Sequence, residues 1–285
     1  MNSDCSRKLR HSPRPLGINL VGAFAILLAC LCNRSTGGEN SQASSKSLIP
    51  WKALDEKTRT KLEDVVDNAT VWHRTPAEVF ACNPELYLLL LNEPILTLEL
   101  WKNFGVADAS LQQQGPGQFQ GADGHLSSGR WEFVYRSPEL NVIYAEGQYR
   151  GPLLGTTLET KSVLVLRTVF FQERDGKQYV KHQLDGFVKA ESGSLKPIAK
   201  ALRPIFQKSV EATMQESLWF VSLMCRYTHF DPHSIARALD QTENVREPVK
   251  TQMQKILNPL LASTPLRKEP ANTDQNDQRS AGGDR

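Results

Sequence analysis

The run QYVKHQLDGFVKA (178–190), followed a few residues later by LKPIAKALRPIFQKSVEATMQESLWFVSLMCR (195–226), decides how this chain is read. The first run alternates with the period of a strand. It puts Val180, His182, Leu184, Gly186 and Val188 on one face and Tyr179, Lys181, Gln183, Asp185 and Phe187 on the other. The second carries Ala199, Leu202, Phe206, Val210, Met214, Leu218, Val221 and Cys225 at steps of three and four, one stripe of a long amphipathic helix. A sheet that hands its chain to such a helix has one face covered by it, with room for a cavity between the layers. Burial favours the His182 face pointing inward. Pro204 lacks an amide donor and crowds the carbonyl four residues back, so a kink or break is expected near Arg203.

Working outward, the same period of two predicts strands over 109–114, 118–122, 130–136, 140–149 and 159–172 before the one at 178–190. Asp175-Gly176 predicts a tight type I′ hairpin between the last two. Upstream, Val71 to Cys82 reads as extended chain interrupted by Pro76, which an edge strand tolerates. Asn83-Pro84 and Asn92 with Pro94 are helix starts for two short helices, 85–91 and 95–104, ended by Gly105 as a left-handed cap. Leu54 to Val66 predicts a polar amphipathic lead-in helix packed outside the main layer. Two further helices are expected after Phe230, through Leu239 and over 246–261.

This order resembles the helix-grip superfamily of START domains, polyketide cyclase-like proteins and plant pathogenesis-related proteins. The resemblance is carried by Thr75-Pro76-Ala77-Glu78-Val79-Phe80, Trp101, and Asp185-Gly186-Phe187-Val188 running into the 195–226 helix. It implies an α+β fold: a curved antiparallel sheet gripping a long C-terminal helix around an apolar cavity, with extra helices at both ends. It also implies apolar small-molecule or lipid ligands, on which a minority of members act as catalysts. The expected organisation is a signal peptide or anchor (1–29), a flexible linker (30–50), the lead-in helix (51–70), the helix-grip domain (71–229), C-terminal helices (230–262) and a disordered tail (263–285).

The formal charge of +3 comes entirely from Arg7, Lys8, Arg10 and Arg14 against Asp4, and the rest of the chain is balanced. A nucleic-acid partner, which needs a basic face to displace counterions, is therefore not expected. The basic start leads into an uncharged run, 15–33, with the layout of an export signal. Leu27-Leu28-Ala29-Cys30 resembles a bacterial lipobox, in which Cys30 is lipidated and the chain is cut before it. An uncleaved anchor and ordinary cleavage after Ala25 are the alternatives. In a bacterial host each places the body outside the cytosol, and two of them tether it to a membrane. Cys82 and Cys225 remain for the globular part, either as a disulfide or as two buried thiols.

Candidate ligand-binding residues follow from the faces of the strands and the helix. His182 sits on the inward face, as a tunable acid/base or as a hydrogen-bonded core histidine. Tyr135, Tyr144, Glu146 and Arg167 are candidate polar groups for an apolar pocket. Buried Arg167 would need a carboxylate, from a ligand or from Glu146. Met214, Leu218, Trp219 and Val221 would floor the cavity or fill the core. His229, Asp231 and His233 read as a capped turn rather than a metal site. No motif points to a cofactor or a standard catalytic apparatus. Three functions follow: an exported carrier of an apolar ligand, an acid/base enzyme using His182, or an anchored scaffold presenting its C-terminal helices.

Overall fold

The computed structural model of the chain describes residues 39–105, 109–122, 127–149, 157–191 and 196–265. Its elements are α1 (Glu39–Ser47), a 3-10 turn (Trp51–Ala53), α2 (Glu56–Asp67), β1 (Val71–Arg74), β2 (Glu78–Ala81), α3 (Pro84–Asn92) and α4 (Pro94–Asn103). They are followed by β3 (Ser110–Gly115), β4 (Gln118–Ala122), β5 (Ser127–Arg136), β6 (Leu140–Tyr149), β7 (Leu158–Gln172) and β8 (Gln178–Glu191). The chain then continues into α5 (Lys196–Phe230), α6 (Pro232–Asp240) and α7 (Glu247–Ser263). All eight strands form one curved antiparallel sheet in the order β1-β8-β7-β6-β5-β4-β3, with β2 also on β8. This is the α+β helix-grip architecture.

Local chemistry explains the boundaries. Asp55 caps α2 by accepting from the Thr58 amide, and Asn83 caps α3 from Glu85 and Leu86, with Pro84 in the first turn. Gly105 closes α4 at φ 67°, a conformation that glycine adopts without strain. Thr75-Pro76-Ala77 splits one extended segment in two: β1 pairs with residues 185–188 of β8, and β2 with residues 179–182.

The middle of the sheet, over β6, β7 and β8, is buried on both faces. Inside, α5 lays Val210, Met214 and Leu218 on Ile143, Leu164, Leu166, Leu184 and Val188. Gly186 lets it close in, because a Cβ there would meet the Met214 sulfur at 2.5 Å. Outside, Leu62, Val65 and Val66 of α2, with Ile49 and Leu54, cover Val142, Tyr144, Val163, Val165 and Phe187. A third cluster joins α3, α4 and the end of α5 to α6 and α7 through Tyr87, Leu90, Trp101, Phe220, Ile235, Leu239, Met253 and Leu257.

Several expectations change. Residues 39–47 of the expected linker form a helix, and buried Ser45 donates to Asp185 at 2.9 Å across the sheet's outer face. Helix α5 runs on through Pro204 without the expected break. Five residues, 173–177, connect β7 to β8, longer than the expected tight turn: the Glu173 amide donates to the Lys177 carbonyl, the Gly176 amide to the Glu173 carbonyl, and Gly176 takes a positive φ of 81°. Cys82 and Cys225 are buried free thiols, and burial first, then the neighbouring Cys82 thiol, pushes Cys225 up. Helices α6 and α7 each bury one face in the core. The export signal, Cys30 and the tail beyond residue 265 lie outside the described residues, among which no helix is long and apolar enough to cross a membrane.

Candidate functional site

Between the inner face of the sheet and α5 lies a cavity of about 170 Å³. Ile143, Leu164, Leu166 and Leu184 form its sheet wall, Met214, Leu218 and Val221 its helix wall, and Trp131, Phe133 and Leu91 close its sides. The wall is apolar because strand alternation sends every second side chain here and α5 answers with its stripe. Tyr87 and His182 form its polar corner, and two further hydroxyls, of Thr97 and Ser217, also line it while donating to the Leu90 and Thr213 carbonyls.

That corner is assembled by register. Glu78 of β2, His182 of β8 and Thr168 of β7 are direct cross-strand partners, so three neighbouring strands present a polar row within an apolar face. From α3, Tyr87 places its hydroxyl 3.2 Å from His182 Nδ1 and 3.2 Å from Thr168 Oγ1. His182 Nε2 lies 3.3 Å from Glu78 Oε2. Ser222 and Arg226 of α5 each donate to Glu78 Oε1 at 2.8 Å. The row thus runs from half-exposed Arg226 at the surface to His182, Tyr87 and Thr168, all at most 2% exposed.

Electrostatics follow from this burial. Desolvation lowers the His182 pKa, and the Glu78 carboxylate opposes that shift only in part, so the imidazole is neutral at pH 7. Burial likewise pushes the Tyr87 phenol well above its ordinary value, keeping it protonated. A neutral histidine hydrogen-bonded on both nitrogens, beside a protonated phenol, can orient a ligand's polar atom or relay a proton.

The sequence-derived candidates divide. His182, Met214, Leu218 and Val221 line the cavity. Tyr135, Tyr144, Glu146 and Arg167 do not, because they occupy the opposite face, under α1 and α2. There Tyr144 donates to Glu146 at 2.8 Å, and Glu146 also pairs with Arg130. The carboxylate Arg167 needs is Asp185, at 3.2 Å, rather than Glu146. Asp185 is fully buried and also takes Arg74 at 2.6 Å. Trp219 points away, 46% exposed. Asp231 caps α6 by accepting from the Ser234 amide, as a capped turn requires. Glu78, Tyr87 and Thr168 are not among the sequence-derived candidates: Glu78 enters there only within the run Thr75 to Phe80, and Tyr87 and Thr168 sit in no motif. The available signal was a lone acidic residue on an extended run whose register partner is His182.

No described protein family and no curated protein matches this sequence. Solved structures with a similar course of chain include a hypothetical protein from Helicobacter pylori, at 12% identity over 70% of this chain and 100% of that one, TM-score 0.37. Norcoclaurine synthase from Thalictrum flavum matches at 13% identity over 70% and 98%, TM-score 0.33. The di-domain ARO/CYC StfQ of steffimycin biosynthesis matches at 14% over 60% and 56%, TM-score 0.34. The assignment to the helix-grip fold rests on the sheet and helix described above. The site is judged on its own geometry.

Proposed function

We propose that this chain binds and carries a small apolar molecule between its sheet and α5, without chemical turnover. One observation carries the reading: a largely apolar cavity of about 170 Å³ walled by both the sheet and α5. An apolar cavity of ~150 Å³ admits a benzene-sized molecule, so the size favours a single ring or a short chain over a whole phospholipid. In this reading the N-terminal segment exports the body and tethers it to a membrane through Cys30, so that the carrier works at a lipid surface outside the cytosol. Organic extraction of the purified full chain, followed by mass spectrometry, should recover an apolar compound near one per chain. Repeated empty preparations that also bind no added aromatic would end the proposal.

A second reading, an enzyme using His182 as acid/base, is favoured by the Glu78–His182–Tyr87 row. Its supporting groups are Glu78 and Tyr87, replacing Glu146 and Tyr144, which lie across the sheet. The scaffold reading keeps only the outer faces of α6 and α7, since their inner faces pack into the core.

A further inference from the structure

Donor and acceptor accounting in the polar corner narrows the ligand further. Glu78, ion-paired with Arg226, accepts at both oxygens: from Ser222 and Arg226 at Oε1, and from His182 at Oε2. A carboxylate has no proton to give, so the hydrogen lies on His182 Nε2 and the lone pair on Nδ1. The described partner of Nδ1 is the Tyr87 hydroxyl, which must therefore donate to it. With its one proton spent, the Tyr87 oxygen can only accept, from Thr168 and from one further donor. The other two hydroxyls lining the cavity, of Thr97 and Ser217, donate to the Leu90 and Thr213 carbonyls, so the cavity's hydroxyl and imidazole groups offer acceptors while their own protons are spent.

Resting on the carrier reading above, we infer that the cavity selects an apolar alcohol or phenol of about one ring, held through a hydroxyl that donates to the Tyr87 oxygen. A carbonyl or ether of the same size meets a phenol oxygen and an occupied imidazole, lone pair against lone pair. An unsubstituted hydrocarbon fills the space without the hydrogen bond. Glu78 is a positioning residue here: it holds the histidine tautomer, and with it the direction of every hydrogen bond in the row.

Calorimetry on the full chain with p-cresol, p-tolualdehyde and toluene tests this. The expected order is p-cresol about tenfold tighter than either of the others, the worth of one net hydrogen bond. In Glu78→Gln the amide nitrogen can donate to Nε2, moving the histidine proton to Nδ1 and freeing the Tyr87 proton for the ligand. The preference should then swing to p-tolualdehyde. Equal affinity of p-cresol and toluene for the wild-type chain overturns the inference while leaving the carrier reading intact, and so does an unchanged order in folded Glu78→Gln. If none of the three binds, both fall. Should Glu78→Gln fail to fold, the wild-type series decides alone.

Discussion

At the scale of single residues, the buried polar groups are the costly choices, and each is answered. Asp185, with no exposed side-chain area, takes Arg74, Arg167 and Ser45, so removing it would strand two cations on the outer face. His182 is held neutral by burial, and the sign of its pH effect follows. In the unfolded chain it takes a proton near its ordinary value of 6.5, while the folded pKa lies lower, so the unfolded state binds more protons between the two. Its contribution is whole above about pH 6.5 and is lost as the pH falls through the folded value. His73 and His229 are lowered by burial as well and add to the same trend. Urea titrations should show stability falling as the pH drops below about 6.5, and His182→Gln should make that fall shallower. An unchanged pH slope in that variant would show that His182 titrates as in the unfolded chain.

At the scale of elements, the sequence was legible wherever a local period governs. All six strands from β3 to β8 lie within three residues of their expected limits, and α3, α4, α6 and α7 appear where their proline and capping signals put them. What periodicity did not convey is which sheet residues the lead-in helix covers. The run Val163-Leu-Val-Leu166 is buried on both sides, and its continuous apolar character, with no polar alternate, is the signature of a strand covered twice. The C-terminal helices make the same point, because their amphipathic faces cannot say what they will meet. Met253 and Leu257 of α7 are at most 1% exposed, against a cluster that includes Tyr87 of the site. Ending the chain after Asp240 should abolish cooperative thermal unfolding, since it uncovers that cluster. A truncated chain that melts as the full one does would show α7 to be an independent appendage. Met253→Ala alone should cost about 2–5 kcal/mol, the usual range for emptying a core position.

At the scale of the whole molecule, three layers stand in a fixed relation: α1 and α2 outside, the sheet, then α5 with its flanking helices inside. Ser45 and Arg74 meeting at Asp185 tie the first of these helices to the sheet, so the described body begins only a few residues after the apolar N-terminal run. If that run exports and tethers the chain, the carrier sits close to the lipid surface with little slack. In a bacterial host, Cys30→Ser should shift the protein from the membrane fraction to the soluble extracytoplasmic fraction. Continued membrane association of the variant would favour an uncleaved anchor.

The sequence by itself determined the kinds of element, their order, and the face of β8 that carries His182, because strand and helix periods are properties of neighbouring residues. Only the tertiary structure decided that Tyr144, Glu146 and Arg167 lie across the sheet from the cavity, and that Glu78, Tyr87 and Thr168 surround His182. These four residues, at 78, 87, 168 and 182, come from four separate elements. Their meeting depends on strand register and on how α3 packs over the sheet, and no local pattern in the chain encodes either.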